Sequence, residues 1–160
     1  MDQLNKEIQK IVTDLELLPH PEGGFYKETY RSEEKIDSLN RELVTSIYFL
    51  LTSENVSRFH RIKSDEQWFF HAGSPLIVHT LGENGHEQTL IGSAFSKGEK
   101  LHFVVPKNTI FGSSVLYENS FSLVSCVVAP GFDFADFELF DSDYLLKEFP
   151  DHTTIINQLT

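Results

Sequence analysis

Along the first part of the chain Leu4, Ile8, Ile11, Val12 and Leu15 recur at steps of three and four. That is the apolar stripe of an amphipathic helix, and it predicts one running to about Leu17. Pro19 and Pro21 bar its continuation. The pattern then shortens to runs rich in aromatic and β-branched residues, which predict strands over 25–31, 43–51, 67–71, 76–81, 88–95, 101–105, 110–116, 121–129 and 134–140. Turn chemistry fills the gaps, in Pro21-Glu22-Gly23-Gly24, Ala72-Gly73-Ser74-Pro75, Gly82-Glu83-Asn84-Gly85, Ser96-Lys97-Gly98 and Pro130-Gly131. In the tail, Tyr144, Leu145 and Phe149, then Ile155, Ile156 and Leu159 after Pro150, predict one or two short helices. No repeat, low-complexity stretch or linker divides the chain. The expectation is a single all-β domain over 1–160: a helix over 1–18, a sandwich or barrel over 22–140, and capping helices over 141–160.

Composition narrows the function. In 160 residues there are 24 acidic and 13 basic side chains, a formal charge of −11, which repels phosphate backbones and anionic bilayers. Neither a nucleic-acid nor a membrane partner is expected. No apolar run approaches a membrane span, and the start Met1-Asp2-Gln3-Leu4 lacks the basic, apolar opening of a signal peptide, so a cytoplasmic protein is expected. The single Cys126 lies in an apolar run and reads as a buried, inert thiol. Fourteen phenylalanines point to a sheet-rich core or an aromatic-lined cavity.

The stretch Phe59-His60-Arg61-Ile62-Lys63-Ser64-Asp65-Glu66-Gln67-Trp68-Phe69-Phe70-His71-Ala72-Gly73 resembles the first cupin motif, which has two histidines two residues apart, a glutamate, and a glycine after six intervening residues. His60 stands where the first histidine belongs, Ile62 where the second does, and Glu66 and Gly73 keep the final spacing. The second motif is matched by Pro106-Lys107-Asn108-Thr109-Ile110-Phe111, with Asn108 for its glycine and Phe111 for its histidine. The wider pattern is similar to the domain-of-unknown-function 985 group, the fifth cupin family. It is carried by Leu18-Pro19-His20-Pro21-Glu22-Gly23-Gly24-Phe25-Tyr26, Ser46-Ile47-Tyr48-Phe49-Leu50-Leu51, Ser64-Asp65-Glu66, and Val128-Ala129-Pro130-Gly131-Phe132-Asp133-Phe134 with Asp136-Phe137-Glu138. One departure is Phe69, where the group often has histidine. The resemblance spans about residues 10–140 and implies a double-stranded β-helix (jelly-roll) barrel, often a homodimer, with an open mouth for a small ligand.

A mononuclear cupin metal site needs three imidazoles and a carboxylate. With Ile62 and Phe111 in two of those places, only His60 and Glu66 remain as weak metal candidates, and no cofactor is expected. If Glu66 points into the barrel, strand alternation turns Trp68 and Phe70 inward too and Gln67, Phe69 and His71 outward, and the same rule groups His60 with Ile62 and Phe111 with Ser113 and Val115. The expected cavity is apolar with one imidazole and one carboxyl, whose pKa should rise by desolvation unless His60 pairs with it. Such a site resembles those of metal-free sugar epimerases. His60 is then the candidate base, Tyr48 or Tyr26 the acid, and Arg58, Arg61 or Lys27 the support for an enolate or phosphate. The loop at Gly23-Gly24 is expected either as a plain entry to the first strand or as a strap across the mouth that carries Tyr26 or Lys27 to the ligand. Asp133, Asp136 and Glu138 are expected in solvent while Phe132, Phe134 and Phe137 pack.

Three functions fit these residues. They are an isomerase or epimerase working without metal through His60, Glu66 and Tyr48, a non-catalytic module binding a small molecule in the same pocket, and a metal-dependent cupin enzyme. In the first two, Tyr26, Lys27, Arg58, Trp68, Phe70, Phe111 and Ser113 complete the ligand site.

Overall fold

The computed structural model describes residues 2–160. Its elements in chain order are α1 (Gln3–Asp14), β1 (Leu18–Pro19), β2 (Phe25–Arg31), β3 (Lys35–Ile36), β4 (Arg41–Glu42), β5 (Thr45–Thr52), β6 (Val56–Arg61), β7 (Asp65–Gly73), β8 (Leu76–Gly82), β9 (Gly85–Ile91), β10 (His102–Val105), β11 (Ile110–Val115), β12 (Phe121–Ala129), β13 (Glu138–Leu139), α2 (Ser142–Glu148) and α3 (Thr153–Gln158). Two antiparallel sheets carry the fold. The larger has the order β1-β2-β5-β12-β7-β10 and the smaller β13-β6-β11-β8-β9, while β3 and β4 form a separate hairpin. Sequence neighbours such as β5 and β6 fall in different sheets, so the chain crosses between layers as it winds.

Alternation along the strands sorts the side chains. On β5, Phe49 and Leu51 join the core between the sheets with Trp68, Val124 and Cys126, whereas Tyr48 and Leu50 pack on the other face. That outer face is half covered by α1, whose buried Ile8 meets Leu17, Leu50 and Phe121. Asp2 caps the helix by accepting from the Asn5 N–H at 2.8 Å. Against the outside of the small sheet, Leu145, Ile155, Ile156 and Leu159 of the C-terminal helices pack on Phe59, Leu81 and Ile110. Asp141 starts α2 by accepting from the Tyr144 N–H at 2.8 Å.

The sequence expectation departs from this structure in three places. Residues 88–95 do not form one strand: β9 ends at Ile91 and a 3-10 turn takes over at Phe95. The expected strand over 134–140 is a 3-10 turn followed by the two-residue β13, because Asp133 accepts from the Ala135 N–H and tightens the chain there. Strand β6 is absent from the runs that periodicity marks as strands, since Val56-Ser57-Arg58-Phe59-His60-Arg61 mixes polar groups into both faces, and only the motif resemblance treats His60 as a strand residue.

Candidate functional site

One cavity of about 430 Å³ opens between the sheets. From the large sheet come Tyr26 and Glu28 of β2, Thr45, Ile47 and Phe49 of β5, Glu66 and Trp68 of β7, and Cys126 and Val128 of β12. Register explains the grouping: Tyr26 stands opposite Phe49, Cys126 opposite both Ile47 and Trp68, and Val128 opposite Glu66. The small sheet adds Ser57, His60 and the adjoining Ile62. Ser57 and His60 are three residues apart, yet they pair with Ser113 and Phe111, two apart on β11. This irregularity is a β-bulge, and it re-aims β6 so that both residues reach the cavity. By the same shift Arg58 leaves the interior, and its guanidinium donates to the Pro21 carbonyl at 3.0 Å.

The loop between β1 and β2 supplies the groups that the sequence reading had not placed there. A Cβ on Gly23 (φ +113°) would lie 2.2 Å from the Val56 carbonyl oxygen, and one on Gly24 (φ +77°) 2.6 Å from that of Leu50. Two glycines therefore let the loop lie pinched between β5 and β6. The loop is held by His20 N–H to Gly24 O at 2.9 Å and Gly23 N–H to His20 O at 3.1 Å. It delivers Glu22, only 8% exposed, to the Ser57 hydroxyl, which donates to Oε2 at 3.2 Å. Glu22 also stands 3.4 Å from Nδ1 of His60 and 3.5 Å from Nδ1 of His20.

Hydrogen bonding fixes the imidazoles. Nδ1 of His60 lies 2.7 Å from the Arg58 carbonyl oxygen, which can only accept, so the ring proton sits on Nδ1 and Nε2 carries the lone pair. Burial holds His60 at a pKa of about 4, so it is neutral near pH 7 and its contact with Glu22 is not an ion pair. Its ring packs on Phe111 at 4.2 Å and Phe137 at 5.3 Å between centroids. In His20, Nδ1 accepts from the Glu22 backbone N–H at 3.1 Å, and burial lowers that pKa as well.

Glu66 has no hydrogen bond to a protein group among the described residues and is not sealed off, so its carboxyl fronts the cavity that it lines. Desolvation first, and the nearby Glu22 second, push its pKa up to about 8. The Trp68 indole pulls the other way, though its fully buried N–H does not reach bonding geometry and stays without a partner. Glu22 is likewise raised by burial, against the opposing pull of His20, Ser57 and Arg58. The Cys126 thiol is pushed well up by burial and by both carboxyls, which keeps it protonated and inert.

Of the residues singled out from sequence, His60, Glu66, Trp68 and Tyr26 line the cavity. Tyr48 does not: it lies on the outer face of β5, edge-on to His71 and against the α1 cluster, because its parity is opposite to that of Ile47 and Phe49. Lys27 is turned away between Tyr26 and Glu28 and pairs with Glu16. Arg61 pairs with Glu138. Phe70 packs against the core beyond the cavity, and Phe111 and Ser113 are buried behind it, with Ser113 Oγ unpartnered. At the mouth, Phe132 and Phe134 line the opening, whereas Asp136 is bonded to Arg41 through both carboxylate oxygens, so the acidic stretch is ion-paired and not simply solvated. His20 and Glu22 were missed as site residues. Their signal was a histidine and a glutamate two apart ahead of paired glycines.

Sequence and structure comparisons place the family and the fold. The cupin superfamily (DUF985) profile matches residues 9–140. The chain belongs to that family. Its relatives include the uncharacterized protein YML079W of Saccharomyces cerevisiae, 30% identical over 92% of this chain and 82% of that one. Protein SO0799 from Shewanella oneidensis has a solved structure that superposes with a TM-score of 0.90 at 44% identity, covering 95% of this chain and 96% of that one. A hypothetical protein from Leishmania major follows at 0.89 and 39%, with 95% and 97% coverage. The fold is thus the all-β cupin jelly roll. The cupin metal set does not fit it: Ile62 and Phe111 fill two ligand places, and among the described residues no three His, Cys, Asp or Glu side chains are placed to hold an ion. No helix of the described residues is long and apolar enough to cross a membrane.

Proposed function

We propose that this cupin binds a small carbonyl compound in the cavity and moves a proton on it without a metal, as an isomerase or epimerase. The observation that carries the reading is the pairing of two opposite protonation states on one cavity. His60 is neutral with its proton held on Nδ1, and Glu66 is a carboxylic acid at neutral pH. Nε2 of His60 removes the proton beside the carbonyl, and Glu66 donates to the carbonyl oxygen as charge develops there. Glu22, 3.4 Å from Nδ1, offsets the charge of the imidazolium that forms. In the enediol, return of the proton from His60 to the former carbonyl carbon, while the Glu66 carboxylate takes the proton of the other hydroxyl, gives isomerisation. Delivery from the Tyr26 phenol to the opposite face of the original carbon, while Glu66 takes back the enol proton, gives epimerisation, and proton exchange with water then resets His60 and Tyr26. A cytoplasmic setting goes with this proposal.

The test is deuterium exchange at the carbon beside the carbonyl, followed by mass spectrometry across a panel of keto sugars and keto acids in D₂O. His60→Ala and Glu66→Gln should fold normally and lose exchange. Exchange unchanged in both would eliminate the assigned roles. The largely apolar walls favour a second reading, a binding module without chemistry, which predicts thermal stabilisation by a ligand with no exchange. We also propose a homodimer. The support is the part of the large sheet's outer face that α1 leaves bare, where the Phe69 and His102 rings meet at a tilt with centroids 4.7 Å apart and Val104 is exposed. Light scattering after gel filtration reads the mass directly.

A further inference from the structure

We infer that the ligand of this cavity carries a positive charge, as a small organic ammonium or amidinium whose body lies against the aromatic walls. The inference goes beyond the proton-transfer reading and shares only its cavity: with a cation docked, Glu66 is a carboxylate and the counter-ion, so for such a ligand it is not the acid of that reading.

The deep wall holds two carboxyls, Glu22 and Glu66, close enough for one to raise the other, and no Lys or Arg side chain is bonded to either among the described residues. The groups that bear on them are the neutral imidazoles of His20 and His60, the Ser57 hydroxyl, the Cys126 thiol and, from outside the lining, the Arg58 guanidinium, which pulls on Glu22 but is bonded to the Pro21 carbonyl. Among the described residues Arg31 is the single cation of the lining, and its guanidinium is already bonded to Glu28, Glu42 and the Phe132 carbonyl. An anionic ligand would find no free counter-charge. A cation would find in Glu66 a carboxyl with no cation acting on it, beside the rings of Trp68, Phe49, Tyr26 and Phe132, whose faces attract positive charge.

A second observation points the same way. The Trp68 indole N–H, on a side chain 3% exposed, has no acceptor, and the group it leans toward is the Glu66 carboxyl. A protonated carboxyl still accepts through its carbonyl oxygen, but a carboxylate is the stronger acceptor for that donor. A cation docked on Glu66 would drive its proton off, and the carboxylate so formed would draw the indole N–H more strongly than the neutral acid does. Binding should therefore release a proton.

Isothermal titration with benzamidinium and the near-isosteric neutral benzamide tests this, run at pH 7 in two buffers of different ionisation heat. We expect benzamidinium to bind about tenfold or more tightly than benzamide, the worth of a charge-assisted hydrogen bond, and to release close to one proton. Its affinity should rise with pH and level off near pH 8, where free Glu66 has itself ionised, while that of benzamide stays flat. This profile needs no variant. Glu66→Gln should abolish the proton release. Benzamide binding as tightly as benzamidinium, or neither binding at millimolar concentration, overturns the inference. The two proposals fail separately: neutral-ligand binding with deuterium exchange leaves the acid/base reading standing, and cation binding without exchange leaves the charge inference standing.

Discussion

Oε2 of Glu22 lies 3.4 Å from Nδ1 of His60, although the two residues sit on different elements, a loop pinned by paired glycines and a strand bent by a bulge. That carboxyl also raises Glu66 by like charge. One side chain thus bears on both the base and the acid of the proposed chemistry. Glu22→Gln keeps the shape and the Ser57 contact but removes the charge. We expect the Glu66 pKa to fall toward its ordinary value, read by carbon-13 NMR of the side-chain carboxyl. Deuterium exchange should slow on the order of tenfold or more, because the imidazolium loses its counter-charge.

Stability should carry the mark of Glu66 on the alkaline side. In the folded chain the carboxyl keeps its proton up to about pH 8, whereas in the unfolded chain it ionises near 4.5. The folded state therefore binds more protons in this window, and stability is lost as pH rises through it. Between pH 6 and pH 8 the loss from this group alone is about 2 kcal/mol. Glu66→Gln removes that loss. Urea denaturation at the two pH values should show the variant gaining on the native protein by roughly that amount as pH rises, and a constant difference would contradict the assignment.

How much of this was legible beforehand follows from the physics of each element. The α1 stripe and most long strands were readable because burial on one face imposes its period on the sequence. Glu66 and Trp68 share the cavity face, as alternation requires once Glu66 is taken as inward. Tyr48 was misplaced, since the reading chose it for its phenol and not for its parity, and Arg58 failed because a bulge breaks alternation without leaving a sign in the sequence. His20 and Glu22 reach the cavity from a loop, where no periodicity exists to read. Their positions depend on tertiary contacts of Gly23 and Gly24 with Val56 and Leu50, far away in sequence.

Gly23→Ala tests that strap. A methyl group would have to enter 2.2 Å from the Val56 carbonyl oxygen, at a φ of +113° that side chains rarely adopt. The loop must shift, at a cost of about 1–3 kcal/mol from the backbone conformation alone. In a chain of this size that lowers Tm by about 2–12 °C. Because the shift withdraws Glu22 from Ser57 and His60, benzamidinium affinity should fall with it. Full retention of both would show that the loop does not position the site.

Tyr48→Phe separates the outer face of β5 from the inner one. The ring packs with the α1 cluster and stands edge-on to His71, 6.3 Å between centroids, on the side of the sheet away from the cavity. Removing its hydroxyl should leave deuterium exchange and ligand affinity within twofold of the native protein. Tyr26→Phe, on the cavity wall opposite Phe49, should slow epimerisation on the order of a hundredfold if its phenol is the second proton donor.

His79 sets the acid limb of stability. It is buried between Ser114, whose hydroxyl is 2.8 Å from Nε2, and His86, whose Nε2 is 3.0 Å from Nδ1, with His152 edge-on beyond. Burial, and then the neighbouring His86, hold its pKa at about 4. The unfolded chain binds this proton below about 6.5 and the folded chain does not, so stability falls as pH drops from 6.5 to 4, by about 3 kcal/mol for this residue. His60 adds a loss of the same sign. His79→Gln keeps a polar group between the two partners and cannot be protonated. The slope of unfolding free energy against pH between 5 and 6 should then drop by close to one proton, and an unchanged slope would place the acid sensitivity elsewhere.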